Sequence, residues 1–142
     1  MTTSPDLPTL ANDLRLACQR IARRVRFEGT ADVAPHQFSV LVRVSKGAQT
    51  PTELAAVERV TTPSMNRTIN GLVELGLAER TPHPDDRRQV LVVATDAGLD
   101  VVRRTLASRD TWMASRLDGL DAEQLVVLRQ AADILLDVAA HG

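Results

Sequence analysis

The middle of the chain carries hydroxyl, amide and guanidinium side chains that can form hydrogen bonds with nucleic acid. They lie within residues 61–71, a segment without acidic residues, and comprise Thr61, Thr62, Ser64, Asn66, Arg67 and Asn70. An asparagine amide can pair bidentately with adenine and a guanidinium with guanine, whereas hydroxyls reach phosphate oxygens. Two further arginines, Arg87 and Arg88, follow Asp86 in a second polar segment and can enter a narrow minor groove. Taken alone, Asn66 and Asn70 would be interpreted as solvated surface residues, so the elements that position them decide the interpretation.

Bulk charge does not by itself indicate a nucleic-acid partner. The 142 residues carry sixteen arginines and one lysine against 18 acidic residues, and the formal net charge is −1. An arginine-rich balance suits planar, bidentate recognition, but codon usage in a GC-rich genome explains most of it. Any positive field must therefore be confined to a small face of the protein.

Other classes of protein find little support in the sequence. Cys18 is the single cysteine, so there is no disulfide framework, and no Cys/His spacing indicates a metal site. His36, His83 and His141 have no nucleophile or carboxylate arrangement around them, and His83 is expected to meet solvent or phosphate. We therefore expect neither enzyme activity nor a cofactor. Because no apolar run reaches the length of a signal peptide or a membrane span, we expect a cytoplasmic protein without a membrane partner.

Two short helices position the first polar set. Residues 50–53 (TPTE) combine a Thr cap, Pro at the first helical position and Glu three residues after the cap, which predicts a helix start. A second start follows, with Thr62 as the predicted cap and an inward stripe of Met65, Ile69, Leu72 and Val73. Since Pro63 forbids one continuous rod, the two helices must fold back at an angle, as in a helix-turn-helix. The polar residues of the second helix then point outward.

Elements on either side complete a winged domain. Pro35 opens an earlier helix with a predicted inward face of Phe38, Leu41, Val42 and Ser45. Residues 77–81 and 89–95 predict two strands joined by a polar, arginine-tipped turn. A hairpin directly after a helix-turn-helix is a wing. Thr95 is predicted to cap a long helix to about Ser115, with an inward face of Leu99, Val102, Leu106 and Met113.

The two ends of the chain carry apolar stripes beyond what a small winged domain needs. In the first helix the stripe recurs at spacings of three and four, at Leu7, Leu10, Leu14, Ala17, Ile21 and Val25. Residues 121–124 form an Asp-to-Gln capping box that opens a last helix, with apolar positions Leu125, Leu128, Ala132, Leu135 and Ala139. Each stripe is compatible with an ordinary core-facing helix or with a helix that pairs with a second subunit.

One run of residues around the wing is more specific than the rest. Residues 86–88 (DRR) are followed by 90–95 (VLVVAT) and by Gly98. In this order and spacing they resemble the wing signature of the MarR family of bacterial winged-helix regulators, and the resemblance extends along nearly the whole chain. Supporting segments are residues 35–38 (PHQF), 52–55 (TELA) and 72–80 (LVELGLAER).

Three positions depart from the pattern of that family. Ala94 replaces the usual Leu, a change that we expect to be tolerated. Arg59 lies where many helix-turn-helix turns have Gly, which predicts a strained or less sharp turn. Gly71 lies inside the second helix where many relatives have Arg, and this predicts the loss of a phosphate contact. An interior Gly also costs roughly 1 kcal/mol relative to Ala.

The resemblance implies a mainly α, α+β fold with a small β-wing. The winged helix-turn-helix would span residues 33–96, with the wing at about 77–95, and dimerisation helices would span 7–28 and 99–142. The implied function is that of a homodimeric transcriptional repressor bound to a pseudo-palindromic site in double-stranded DNA. The DNA-binding residues would be Thr61, Thr62, Ser64, Asn66, Arg67, Asn70, Arg87 and Arg88, with Asp86 orienting the wing. The dimer interface would contain Leu7, Leu10, Leu14, Leu125, Leu128 and Leu135.

Regulation and two alternatives stay open at this point. The resemblance implies a small-molecule effector of unknown identity in a cleft lined by the first, second and fifth helices. The scarcity of aromatics argues against an obvious stacking site for a planar ligand. Cys18, near Arg15 and Arg20 in the sequence, offers a redox-sensing alternative. The acidic balance and Gly71 leave room for a winged helix that binds proteins in place of DNA.

Overall fold

The computed structural model describes residues 3–29 and 32–141, and it confirms the expected mainly α, α+β fold with a small wing. Within those residues the chain forms six helices and one antiparallel hairpin. In chain order they are α1 (Leu7–Val25), α2 (Pro35–Ser45), α3 (Pro51–Glu58), α4 (Thr62–Glu74), β1 (Ala78–Pro82), β2 (Val90–Ala94), α5 (Asp96–Leu117) and α6 (Ala122–Ala140). The chain divides into two units, Met1–Arg109 and Asp110–Gly142.

The hydrophobic core of the first unit lies among α2, α3, α4 and the hairpin. Leu41, Leu54, Ile69, Leu72 and Val92 are fully shielded from solvent. All of these side chains are aliphatic, as the scarcity of aromatics in the sequence requires. Close packing of such branched residues fixes the relative angles of the helices that they join.

The predicted inward face of α2 was partly wrong. Phe38 and Leu41 are buried, but they are joined by Val40 and Val44, whereas Val42 and Ser45 are only half-buried. The cause lies outside the helix, because Val42 lines an open cleft. The buried stripe is therefore rotated away from the cleft.

Helix α4 starts one residue earlier than predicted. Thr61, and not Thr62, is the cap: its hydroxyl accepts a hydrogen bond from the Ser64 amide at 3.2 Å. A cap satisfies one of the amide groups that a helix start leaves without a partner. Met65, Ile69 and Leu72 are buried as predicted, but Val73 is exposed, so that part of the prediction was wrong.

Helix α5 buries a narrower stripe than the sequence pattern indicated. Leu99 and Leu106, predicted to face inward, are 44% and 42% exposed in the single chain. The buried positions are instead Gly98, Val102 and Thr105. These residues are smaller than leucine, which allows α5 to approach its neighbours closely. The predicted cap is confirmed, since the Thr95 hydroxyl accepts from the Gly98 amide at 3.0 Å.

The wing is a regular hairpin, with bounds within about one residue of those predicted. Its register pairs Ala78 with Ala94, Arg80 with Val92 and Pro82 with Val90. Gln49 adds a short bridge to the other edge of β2, where the Val92 amide donates to the Gln49 carbonyl at 2.7 Å. Strand β2 is therefore hydrogen-bonded along both of its edges.

The helices at the two chain ends leave apolar side chains uncovered. No residue of α1 is buried, and Leu7 is 74% exposed. In the second unit, α6 starts at the predicted capping box, where the Gln124 amide donates to Asp121 Oδ1 at 2.8 Å. No residue of α6 is buried either. None of the described helices combines the length and the apolar character needed to cross a membrane.

Candidate nucleic-acid interface

The turn between α3 and α4 adopts the conformation that glycine would favour, although Arg59 occupies it. Arg59 has φ +56° and ψ +46°, in the left-handed region. This reverses the chain, and the Val60 amide then donates to the Ala55 carbonyl at 3.0 Å. The turn is therefore sharp despite the missing glycine, and the backbone of Arg59 is strained.

The start of α4 carries three hydroxyl side chains. Thr61 and Thr62 are both exposed, and Ser64 is half-buried. Pro63 has no N–H and the Ser64 amide already donates to the Thr61 hydroxyl, so this end of α4 offers mainly the partial positive charge of the helix dipole. This end of α4 can therefore accept a phosphate oxygen.

The outward face of α4 carries the predicted base-reading side chains. Arg67 and Asn70 are exposed, while Asn66 is half-buried. Gly71 is explained by a close approach: a Cβ built on it would lie 2.4 Å from Nε2 of Gln37 in α2. Gln37 is itself engaged, because its Oε1 accepts from the Ala34 amide at 3.0 Å. The glycine therefore makes room for the side chain that caps α2.

Arg80 in β1 was not among the predicted site residues, yet it joins the two predicted DNA-facing elements. Its Nη2 donates to Oδ1 of Asn70 in α4 at 2.6 Å. Both side chains are exposed. The sequence placed Arg80 in a strand but offered nothing to show that it reaches α4.

The turn of the wing is organised around Asp86. Asp86 Oδ1 accepts from the Arg88 backbone amide at 3.0 Å and lies 3.5 Å from Arg88 Nε. The Arg88 side chain is otherwise 92% exposed, and Arg87 is exposed as well. An exposed ion pair of this kind contributes little stability. Its effect is to orient the tip of the wing.

His83 has a structural role that the sequence did not reveal. Its Nδ1 accepts hydrogen bonds from the backbone amides of Asp85 and Asp86, at 3.1 and 3.2 Å. The expectation that His83 meets solvent or phosphate was therefore wrong for this nitrogen. A polar side chain two or three residues before a pair of turn amides is a familiar turn-forming pattern, and it could have been recognised.

A cluster of three side chains, centred on the Glu58 carboxylate, joins α3 to α2. Glu58 Oε1 accepts from the Ser39 hydroxyl at 2.6 Å and from Arg43 Nε at 2.7 Å. Burial raises the pKa of Glu58, but these two hydrogen bonds and the charge of Arg43 outweigh it, so the pKa lies below its ordinary value. The cluster holds the first helix of the motif against the core.

A cleft of about 650 Å³ opens beside α2. Its lining includes the first half of α5, the end of α3 and the segment after α1, through Arg26, Pro35, His36, Phe38, Ser39, Val42, Arg43, Lys46, Glu58, Val60, Leu106 and Arg109. The Arg109 guanidinium stacks on Phe38 at 4.4 Å and donates to the Arg26 carbonyl at 2.9 Å. Burial, followed by the charge of Arg26, lowers the pKa of Arg109.

Possible metal ligands and the single cysteine can be located in the structure. In residues 3–29 and 32–141, no three His, Cys, Asp or Glu side chains converge in a way that could hold a metal ion. Cys18 is exposed on α1. Within the single chain it is therefore not the small buried hydrophobe that a lone cysteine commonly is.

Comparison with known sequences identifies relatives over most of the chain. A family model described as MarR family matches residues 31–89. An HTH-type transcriptional regulator of Mycobacterium bovis is 42% identical over 129 residues, which cover 89% of this chain and 90% of that protein. The multiple antibiotic resistance protein MarR of Escherichia coli is 40% identical over 68 residues, 47% of each chain.

Solved structures share the same architecture. The crystal structure of RV1404 from Mycobacterium tuberculosis superposes with a TM-score of 0.83 at 25% identity, covering 96% of this chain and 97% of that one. Apo wild-type MarR from E. coli gives a TM-score of 0.73 at 25% identity, covering 94% and 99%. Among these relatives, the M. bovis protein is named as a transcriptional regulator and none is named as an enzyme.

Proposed function

The chain belongs to the MarR family of winged helix-turn-helix, DNA-binding transcriptional regulators, and we propose that it is a homodimeric repressor. The observation that carries the DNA-binding part of this proposal is the hydrogen bond between Asn70 in α4 and Arg80 in β1. It joins the exposed polar side of α4 to the first strand of the arginine-tipped hairpin. A surface of this kind can occupy a major groove and the adjacent minor groove together.

We assign the contacts on that surface by their chemistry. Thr61 and Thr62 would bind phosphate at the start of α4. The base-reading residues of α4 would be Ser64, Asn66, Arg67 and Asn70. The wing arginines, Arg87 and Arg88, would enter the minor groove or bind its flanking phosphates, with Asp86 orienting Arg88.

The proposed dimer is supported by the apolar side chains that a single chain leaves exposed. In α1, Leu7 and Leu10 are exposed and Leu14 is half-buried. In α6, Leu125 and Leu128 are exposed and Leu135 is half-buried. Covering such stripes with a second copy removes apolar area from water, at roughly 25 cal/mol per Å². A two-fold dimer would then bind two half-sites about 10 base pairs apart, centre to centre, or a small multiple of that distance.

We further propose that the α2 cleft binds a small effector that releases DNA. Arg26, Lys46 and Arg109 give its lining an excess of positive charge, since Arg43 is already paired with Glu58. Arg109 Nε is buried and has no hydrogen-bond partner among the described residues. A small organic anion, such as a carboxylate, fits these groups.

The DNA-binding proposal is tested by selecting bound duplexes from a random pool with purified protein. A two-fold-symmetric motif is expected, and Arg67→Ala and Arg88→Ala should each weaken binding to it. Arg104→Ala serves as the control, because Arg104 is paired with Asp100 on α5 and is not assigned to the DNA surface. Affinity should fall steeply with salt, since phosphate contacts release counterions. Failure to enrich any motif with a stable dimer would refute the proposal and favour a protein-binding role.

The dimer is tested independently by sedimentation. Leu128→Glu should convert the dimer into monomers, because it places a charge in the proposed apolar interface. Gln130→Glu, which adds the same charge to the polar side of α6, should leave the dimer intact. Two variants with equal sedimentation would show that α6 does not form the interface.

A further inference from the structure

The hydrogen bond between Arg80 and Asn70 determines which atoms of the asparagine face outward. Arg80 Nη2 donates to Asn70 Oδ1 at 2.6 Å. Because a guanidinium only donates hydrogen bonds, it holds the oxygen of the amide and leaves the Nδ2 group for other partners. The bond is charge-assisted, which makes it stronger than one between neutral groups. Asn70 is therefore held in one of its two amide orientations.

The hairpin positions Arg80 for this contact. Side chains alternate along β1, so Arg80 leaves the strand on the same face as Ala78, which is 1% exposed. In the register, Arg80 lies opposite Val92, which is fully buried. Arg80 therefore lies at the edge of the core-facing side of the hairpin, next to the second half of α4. In the described part of the chain, no carboxylate forms an ion pair with Arg80 that could draw it away.

The orientation of the amide changes what Asn70 can recognise. A free asparagine pairs with adenine by accepting from N6 and donating to N7. The guanidinium takes one lone pair of Oδ1, and its positive charge disfavours a second donor such as adenine N6 beside the same oxygen, so Asn70 presents chiefly the N–H donors of Nδ2. The major-groove edge of guanine offers two acceptors, N7 and O6, and no donor. We propose that Arg80 is a positioning residue that makes Asn70 select guanine over adenine.

This inference rests on the proposed function and deepens it. Its test uses the full-length protein and the motif selected with the wild type. Binding is measured to duplexes in which each motif position is changed in turn, symmetrically in both half-sites. One position is expected to prefer guanine over adenine by roughly tenfold, equivalent to 1.4 kcal/mol. In Arg80→Ala that ratio should fall to about one or reverse, because Asn70 is then free to pair with adenine.

Three further variants separate positioning from a general loss of structure. Arg80→Lys should retain the guanine preference, since its ammonium can also donate to Asn70 Oδ1. Asn70→Ala should abolish the preference, and adding Arg80→Ala to it should change the ratio no further. Glu79→Ala, on the opposite face of β1, should leave the ratio unchanged. Each variant must unfold at a midpoint close to that of the wild type.

The outcomes distinguish the inference from the function on which it rests. If the wild type selects a motif but Arg80→Ala weakens all sequences by one common factor, Arg80 is a phosphate contact or a structural support, and the inference is wrong. If the preference at that position is for adenine in the wild type, the inference is also wrong. If the wild type selects no motif, the proposed function fails first and the inference with it.

Discussion

Replacing Gly98 with alanine is expected to destabilise the protein, although alanine is the better helix former. Gly98 lies in the first turn of α5, where a Cβ would come 2.1 Å from the Leu77 carbonyl oxygen. The same Cβ would be 3.0 Å from the Leu77 carbonyl carbon, whereas ordinary contacts begin near 3.4 Å. The obstacle is backbone, which cannot turn aside as a flexible side chain can.

Local hydrogen bonds hold the Leu77 carbonyl and the start of α5 in place. The Leu77 carbonyl accepts from the Thr95 amide at 3.0 Å, and the Thr95 hydroxyl donates to the Gly76 carbonyl at 2.7 Å. Crowding of a packed core costs about 1–3 kcal/mol, and one lost hydrogen bond costs about 1 kcal/mol. Higher helix propensity returns at most about 1 kcal/mol. The expected net loss is about 2 kcal/mol, or roughly 4–8 °C in Tm for a chain of this size.

Gly71→Ala is the matched control, because it makes the same substitution in another helix. Its Cβ would meet only Nε2 of Gln37, at the far end of a flexible side chain. Displacing Gln37 loses its bond to Ala34, which offsets the gain in helix propensity. We expect a stability within about 0.5 kcal/mol of the wild type.

The measurement is urea unfolding monitored by circular dichroism. All variants are compared at one protein concentration, because the unfolding midpoint of a dimer depends on concentration. A Gly98→Ala variant as stable as Gly71→Ala would refute the steric argument.

Three other substitutions test separate parts of the structure. Arg59→Gly should raise the free energy of unfolding by up to about 1 kcal/mol, since glycine tolerates φ +56°; a lower urea midpoint would contradict this. Glu58→Gln should lower the free energy of unfolding at pH 7, and the difference from the wild type should shrink as the pH falls below 4.5. The pKa of Glu58 is depressed, so its contacts stabilise the fold only while the carboxylate is charged. Unfolding curves from pH 7 to 3 would show a constant difference if that reasoning fails. Asp86→Ala should weaken operator binding, measured by fluorescence anisotropy, while the urea midpoint stays nearly unchanged; unaltered affinity would remove Asp86 from the site.

Helix starts and the hairpin could be predicted from sequence because they depend on short-range contacts. Thr50 accepts from the Glu53 amide at 3.1 Å, and Asp121 and Gln124 bond to each other across one turn. Each of these pairs is separated by three residues, so the sequence contains both partners. The one misplaced start, Thr62 in place of Thr61, is an error of a single residue between two threonines that can both cap.

The buried faces were predicted less well because several side chains could face either way. Val42, Val73, Leu99 and Leu106 fit an inward stripe by periodicity, yet they are exposed or half-buried. An amphipathic pattern shows that a helix has an apolar side, but the neighbours determine how wide the covered part is. A cleft uncovers Val42, and a helix approaching on small residues leaves Leu99 and Leu106 outside.

The candidate site divides in the same way. Residue types and their order along α4 and the wing were sufficient to predict an outward polar surface, because outward positions follow from helical and strand periods. The contacts that orient the side chains of this surface join residues that are distant in the sequence. Asn70 meets Arg80, and Gly71 meets Gln37, across ten and 34 positions of the chain. Such pairs depend on how separate elements pack, and only the tertiary structure determines that.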